Sequence, residues 1–179
     1  SRRSSTIIGG SEFGYQFTVQ KDWQIDVILK AYLEGFYPAE IIEDQEQDIP
    51  QLSGLNERNP TIGIAIRYSQ YFENAIFYID LAAATAGEDS QGINANGMII
   101  DSFYSYLLPY RNWDIYLGAG LTYYDQALID YYIGINADEV SPSRHLHRAK
   151  SAFRGQLELY AQYPLSQSWS FHARLTQSF

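Results

Sequence analysis

The sequence predicts an all-β protein, a single antiparallel up-and-down transmembrane β-barrel domain over residues 1–179 with at least eight strands. Three observations predict this fold. Apolar and polar residues alternate with period two in eight segments, short and long links alternate between the segments, and aromatic residues collect at the segment ends. Period two is typical of β-strands, and links sorted by length are typical of barrels that cross a membrane.

Composition excludes several classes of protein. The net charge of −9 argues against nucleic-acid binding, because few cations are present to neutralise phosphates. The absence of cysteine excludes disulfides, thiolate metal sites and cysteine nucleophiles. No apolar run reaches the length of about 18 residues that a transmembrane helix requires. The opening SRRSSTIIGG has no apolar signal core, so we expect that any signal peptide has been removed.

Eight predicted strands follow from the alternation. In Trp23–Leu33 every second residue is apolar, and polar residues such as Asp26 and Lys30 lie between them. The same period predicts seven further strands, at Phe13–Val19, Ile62–Tyr68, Phe77–Ala83, Ile100–Leu108, Ile115–Tyr123, Leu157–Tyr163 and Trp169–Leu175.

The links between these strands indicate the topology. Short, turn-rich links cover Gln20–Asp22, Ser69–Asn74, Leu108–Asn112 and Pro164–Ser168. Long links lie between them, at about residues 34–60, 85–96 and 125–151. By the rule for outer-membrane barrels, we expect the short links in the periplasm and the long links outside the cell. A Greek-key sandwich has no reason to sort its links in this way.

The polar face of the strands is predicted to line the barrel interior. An enclosed charge is costly unless it is paired, so a balanced set of charges on this face favours an internal polar network in a barrel without an aqueous pore. Four acidic and four basic residues occupy this face: Asp26, Asp80, Asp101, Glu158, Lys30, Arg67, Arg154 and Arg174. A soluble lipocalin-type barrel with its apolar face inside is the alternative, which the alternation of the links disfavours.

Aromatic residues near the short links are predicted to form a membrane-interface girdle. The alternative is that aromatic residues simply favour strands. The predicted girdle consists of Trp23, Tyr71, Phe72, Tyr110, Trp113, Tyr163 and Trp169.

Two loops are candidates for ion binding. Seven acidic residues between Glu34 and Glu57 would suit Ca²⁺ or Mg²⁺, but EF-hand spacing is absent and a solvated loop is favoured. The basic stretch Ser141–Lys150 is predicted to be extended, with His145 and His147 on one side. A third metal ligand is not evident, so we expect either a contact with anionic lipopolysaccharide or murein, or an ordinary polar loop. We predict neither a metal nor a cofactor.

A hydrolytic site is the remaining candidate. A Ser-His-Asp set on the inner face would draw on His172, Asp101, Ser105 and Ser170. No nucleophile motif surrounds either serine, so interior polar packing is the favoured interpretation.

Four stretches carry a resemblance to a known family. They are DYYIGINADEV at Asp130–Val140, LSGLNERNPTIGIAIRY, NWDIYLGAGLTYYD and LELYAQYPLSQSWSFHARL. In order and spacing they resemble the MipA/OmpV family of Gram-negative outer-membrane proteins, the MltA-interacting scaffold proteins. The first stretch is similar to the family signature D-Y-Y-x-G-V-x-x-x-E-A near the end of a barrel strand, with Ile135 and Val140 as departures. Family members usually carry further strands, so we expect that the chain either is short or lacks strands.

The resemblance implies a non-catalytic binding role in the bacterial outer membrane, in contact with lipid and lipopolysaccharide. Family members are linked to scaffolding between a lytic murein transglycosylase and a murein synthase, and OmpV-like members are surface antigens or adhesins. A small membrane-embedded lipid-modifying enzyme is the alternative from a different class. The candidate partner-binding residues are Tyr131, Tyr132, Gly134, Arg144, His145, His147 and Arg148.

Overall fold

The computed structural model describes residues 6–9, 12–44, 49, 51–89, 91–166 and 169–179. It confirms the predicted all-β, up-and-down architecture: strands pair antiparallel with their neighbours in chain order within one nine-stranded sheet. The strands are β1 (Thr6–Gly9), β2 (Glu12–Val19), β3 (Trp23–Leu33), β4 (Thr61–Tyr71), β5 (Ala75–Ala86), β6 (Ala95–Tyr110), β7 (Trp113–Tyr124), β8 (Ala152–Pro164) and β9 (Ser170–Ser178). Only β1, four residues long, is added to the eight predicted strands.

The sheet is strongly rolled, with its polar face on the concave side. Asp26 on β3 and Asp80 on β5 are both fully buried there. On the convex side, large apolar residues stand exposed: 60% of Ile64, 53% of Leu81 and 51% of Leu121 is accessible. The apolar face of the strands therefore forms the outer surface, which is the opposite of a lipocalin-type arrangement.

The buried apolar cluster lies at one end of the sheet, the end of the long links. Here the concave face of β4 and β5 carries small residues such as Ala65, Ala82 and Ala84. They leave room for Leu128 of a short helix, Gln126–Ile133, which packs into the same cluster. Gly97 on β6 is required by this approach, because a Cβ at this position would lie 2.9 Å from Leu128 Cγ.

Short helices occupy two of the long links, and the sequence analysis missed them. They are α1 (Pro38–Asp44) and α2 (Gln126–Ile133), and a 3₁₀ turn follows α2 at Ala137–Glu139. The prediction that DYYIG lies near the end of a strand was wrong, because this stretch forms the C-terminal end of α2. Asp125 caps the N-terminus of this helix by accepting a hydrogen bond from the Ala127 N–H. In the described part of the chain, no helix is long and apolar enough to cross a membrane.

The stretch Ser141–Lys150 is also not the extended strand that we predicted. It contains a turn closed by a Ser141–Arg144 bridge and an isolated bridge between His147 and Ile135. Alternation of basic and apolar residues imitates strand periodicity over a short window, and contacts with α2 and the preceding turn decide the conformation instead.

The rolled sheet has two free edges. Among the described residues, β1 pairs only with β2 and β9 pairs only with β8. Nine strands in up-and-down order leave the two edge strands parallel to each other, so no antiparallel ladder can join them. The observed sheet is thus barrel-like in curvature, whereas the expected closure is not present.

Replacing a convex apolar residue by arginine tests which solvent covers this face. We expect Ile66→Arg, in the middle of β4, to lower the free energy of unfolding in lipid vesicles by about 2–4 kcal/mol. Ile133→Arg on α2 is the matched control, because the two isoleucines are 57% and 58% exposed. Denaturant titration followed by tryptophan fluorescence measures both. Equal, small effects would contradict a lipid-facing convex surface.

Candidate functional site

A network of ion pairs crosses the concave face. Arg67 makes two bonds to Asp80, from Nε to Oδ1 (2.7 Å) and from Nη2 to Oδ2 (2.8 Å). Its other side reaches Glu12 on β2 at 3.2 Å. Lys30 Nζ lies 2.9 Å from Asp101 and 3.7 Å from Asp80, although β4 and β5 separate β3 from β6. The roll of the sheet therefore brings charges from five strands, β2 to β6, into one cluster.

The remaining residues of the predicted interior network lie outside this cluster. Asp26 is buried and accepts a bond from Gln24 Nε2 at 2.8 Å. Arg154 lies over the ring of Tyr124, with 5.6 Å between Cζ and the ring centroid. Arg174 faces Glu158 at 3.7 Å and is 64% exposed, so this pair contributes little to stability.

Glu12 belongs to the cluster, but the sequence analysis did not include it. Its signal was present in the alternation, since Phe13 and Tyr15 on β2 are both exposed on the convex side. The residue before Phe13 must then point to the concave side. The predicted segment began at Phe13, one residue too late.

At the end of the long links, two of these links are joined by a buried ion pair. Arg58 Nη2 lies 2.7 Å from Glu139 Oε1, and both side chains are at least 97% buried. Glu139 also accepts the backbone N–H groups of Asn56 and Asn136, each at 2.8 Å. We call this unit the loop cap: residues 51–61 held against residues 126–149.

Two tyrosines of α2 fix the loop cap to the start of β4. The Asn59 N–H donates to the Tyr131 hydroxyl at 2.9 Å, and this hydroxyl donates to the Gly87 carbonyl at 3.2 Å. The Tyr132 hydroxyl lies 2.9 Å from Thr61 Oγ1 and donates to the Asn59 carbonyl. Burial raises the pKa of both phenols, which therefore keep their protons to higher pH than exposed tyrosines.

Gly134 and Arg144 complete the loop cap. Gly134 closes α2 with a bond from its N–H to the Asp130 carbonyl, and a Cβ at this position would lie 2.2 Å from that oxygen. Arg144 donates to three backbone carbonyls, those of Glu139, Gln51 and Ser53. Of the predicted partner-binding residues, Tyr131, Tyr132, Gly134 and Arg144 are thus engaged within the chain.

The other predicted partner-binding residues stand at the surface. His145 and His147 are exposed, and 64% of the Arg148 side chain is accessible although it pairs with Asp130 at 3.0 Å. Leu146, between the two histidines, is 58% exposed. Within the described residues, no group of three His, Cys, Asp or Glu side chains could hold a metal ion. Part of the acidic stretch, residues 45–48, lies outside the described residues.

The candidate hydrolytic set is only partly brought together. His172 contacts Ser170 Oγ through Nε2 at 2.7 Å and the Tyr160 hydroxyl through Nδ1 at 2.5 Å. Asp101 instead binds Lys30 and accepts a bond from Thr122 Oγ1 at 2.8 Å. The histidine therefore has a phenol where a Ser-His-Asp triad has a carboxylate.

Aromatic side chains gather at the short-link end. The ring of Trp113 lies 4.8 Å from that of Tyr163, and the ring of Trp23 lies 6.3 Å from that of Tyr68. Others project outward: Phe72 is 55%, Tyr110 56% and Trp169 74% exposed. Tyr71, at the end of β4, lies an even number of positions from Arg67 and therefore on the concave side.

Comparison with known proteins identifies one similarity. The model of a protein family, described as MltA-interacting protein MipA, matches residues 3–178. The matched region includes both halves of the loop cap. No curated protein and no solved structure matches the chain.

The buried ion pair predicts the strongest effect of any substitution in the loop cap. Glu139→Ala leaves the Arg58 guanidinium buried without a counter-ion, which typically costs about 3–5 kcal/mol. Asp138→Ala is the control, because the neighbouring carboxylate is exposed and bonds only Asn56 across the loop cap. The measurement is denaturant unfolding in detergent. If both variants lose equally little stability, the pair does not hold the loops.

The tyrosines predict a loss of stability at alkaline pH. Because folding raises the pKa of Tyr131 and Tyr132, their contribution is complete below the ordinary tyrosine value of about 10 and is lost as pH rises through the folded-state values. Tyr132→Phe cannot ionise and should show a shallower alkaline decline. Thermal unfolding followed by circular dichroism between about pH 8 and 12 measures it. Parallel declines in the two proteins would refute this assignment.

Proposed function

Because this chain belongs to the MipA family of MltA-interacting proteins, we propose that it is a non-catalytic outer-membrane barrel protein that serves as a scaffold for murein enzymes. Its partners in this proposal are a murein transglycosylase, which the family name implies, and a murein synthase that it holds nearby. Lipid and lipopolysaccharide surround it in the membrane.

The main support for this proposal is that the apolar face of the sheet points outward and the polar face inward, the reverse of a water-soluble β-barrel. Exposed isoleucine and leucine side chains cover the convex surface, while the ion pairs of Arg67 and Lys30 are sheltered on the concave side. In water such an arrangement would be costly, because each Å² of exposed apolar surface is worth about 25 cal/mol. In a bilayer it is the favourable one, because the apolar face meets acyl chains.

The polar groups support binding in preference to catalysis. The buried carboxylates of Asp80 and Glu139 have arginine partners at 2.7 Å and are saturated by them. The loop cap is held by a buried ion pair and several hydrogen bonds, and a surface held in one conformation loses little entropy when a partner binds. These features suit a binding surface of fixed conformation at the long-link end, and the charge pairing on the concave face suits a non-catalytic protein.

A surface adhesin is the second candidate, and the exposed basic stretch favours it. His145, His147 and Arg148 are exposed on the loop cap, and Lys150 is exposed directly after it. Such side chains suit phosphate groups of lipopolysaccharide or anionic groups on another cell. The proposed role as an adhesin therefore uses the long-link end, whereas scaffolding of murein enzymes requires the periplasmic end.

Binding to a purified murein transglycosylase tests the scaffold proposal. The protein is placed in lipid nanodiscs and titrated with the transglycosylase, and we expect saturable binding. We expect a murein synthase to join the complex only when the protein, the transglycosylase and the synthase are all present. Arg148→Ala should leave this binding unchanged while it lowers retention of lipopolysaccharide. Absence of enzyme binding, together with loss of cell attachment in the Arg148→Ala variant, would favour the adhesin instead.

A further inference from the structure

The concave face changes character at the short-link end. Here it carries apolar residues in place of charges: Ile76 on β5, Leu107 on β6 and Tyr116 on β7. With Tyr71, Phe72 and Ser105 they line a cleft of about 240 Å³, which we call the mouth cleft. Each of the three apolar residues belongs to the polar face by its strand register, since it lies an even number of positions from Asp80, Asp101 or Thr122.

These apolar side chains are only partly covered within the chain. Ile76 is 40% exposed and Leu107 and Tyr116 are half-buried, while the buried apolar cluster lies at the opposite end of the sheet. Phe72 belongs to the predicted girdle, where lipid headgroups would cover it. Ile76 and Leu107 lie on the concave side instead, so they do not face the bilayer. An exposed apolar patch inside a polar surround is the usual mark of a binding site.

We propose that the mouth cleft is the docking site for the murein transglycosylase, and that it receives one large apolar side chain of this enzyme. The proposal rests on the proposed function, and it adds where the partner binds. By the class rule the short links lie in the periplasm, on the side where murein enzymes work. Protein partners commonly anchor through a single apolar side chain buried in such a pocket.

Size and charge define the occupant. Small-molecule pockets usually measure about 300–1,000 Å³, so a cleft of about 240 Å³ suits a single side chain better than a lipid or a cofactor. Glu73 lines the same cleft and is exposed at its rim, without an ion pair among the described residues. We therefore expect a basic residue beside the apolar anchor of the enzyme.

Two truncations of the mouth cleft test the proposal. Ile76→Ala and Leu107→Ala should each weaken transglycosylase binding in nanodiscs at least tenfold, because each removes part of the wall that receives the anchor. Leu146→Ala is the matched control, since it removes a leucine that is 58% exposed at the opposite end. Glu73→Gln should slow association and reduce its dependence on salt. A gel shift between unheated and boiled samples verifies that every variant is folded.

The outcomes separate this inference from the proposed function. If the wild-type protein binds the enzyme and both truncations bind equally well, the mouth cleft is not the docking site, whereas the scaffold proposal stands. If the wild-type protein does not bind, both fail. If a spin-labelled acyl chain occupies the cleft and is lost in Leu107→Ala while enzyme affinity is unchanged, the cleft holds lipid and the proposal is overturned.

Discussion

A row of polar residues that crosses the sheet is the constraint on which the remaining structure depends. In cross-strand register it runs from Gln16 on β2 through Asp26, Arg67, Asp80, Asp101 and Thr122 to Arg154 on β8. A charge sheltered from water is costly unless it is paired, so β4 and β5 cannot slide past each other without separating Arg67 from Asp80. A slip by one residue would also move every apolar side chain to the concave face. The row thus fixes register and faces together.

The two ends of the sheet differ because they are finished by different kinds of link. Long links supply enough chain to build the loop cap, in which Arg58 and Glu139 share a buried site that neither loop could form alone. Short links supply only turns and flanking aromatic residues, so the concave face stays open there and the mouth cleft remains. One end is therefore a closed, rigid platform, and the other is an accessible recess.

Two features of the charged and polar side chains support the proposed binding role in preference to catalysis. The buried carboxylates of Asp80 and Glu139 are neutralised by arginine partners within 3 Å, and a group held in this way is a poor acid, base or nucleophile. His172, the histidine nearest to a hydrolytic arrangement, contacts a serine and a phenol on an exposed part of the sheet.

The eight main strands, their polar and apolar faces, and the alternation of short and long links can all be predicted from the amino-acid sequence. These follow from periodicity and turn chemistry, which are local properties. Tertiary structure alone decided the pairing of Arg58 with Glu139, 81 positions apart, and the contact of Lys30 with Asp101, because both depend on how far the sheet rolls. It also decided that α2 is a helix, since eight residues carry too weak a pattern without the packing of Leu128. It also decided that the sheet has free edges, because among the described residues β1 pairs only with β2 and β9 pairs only with β8.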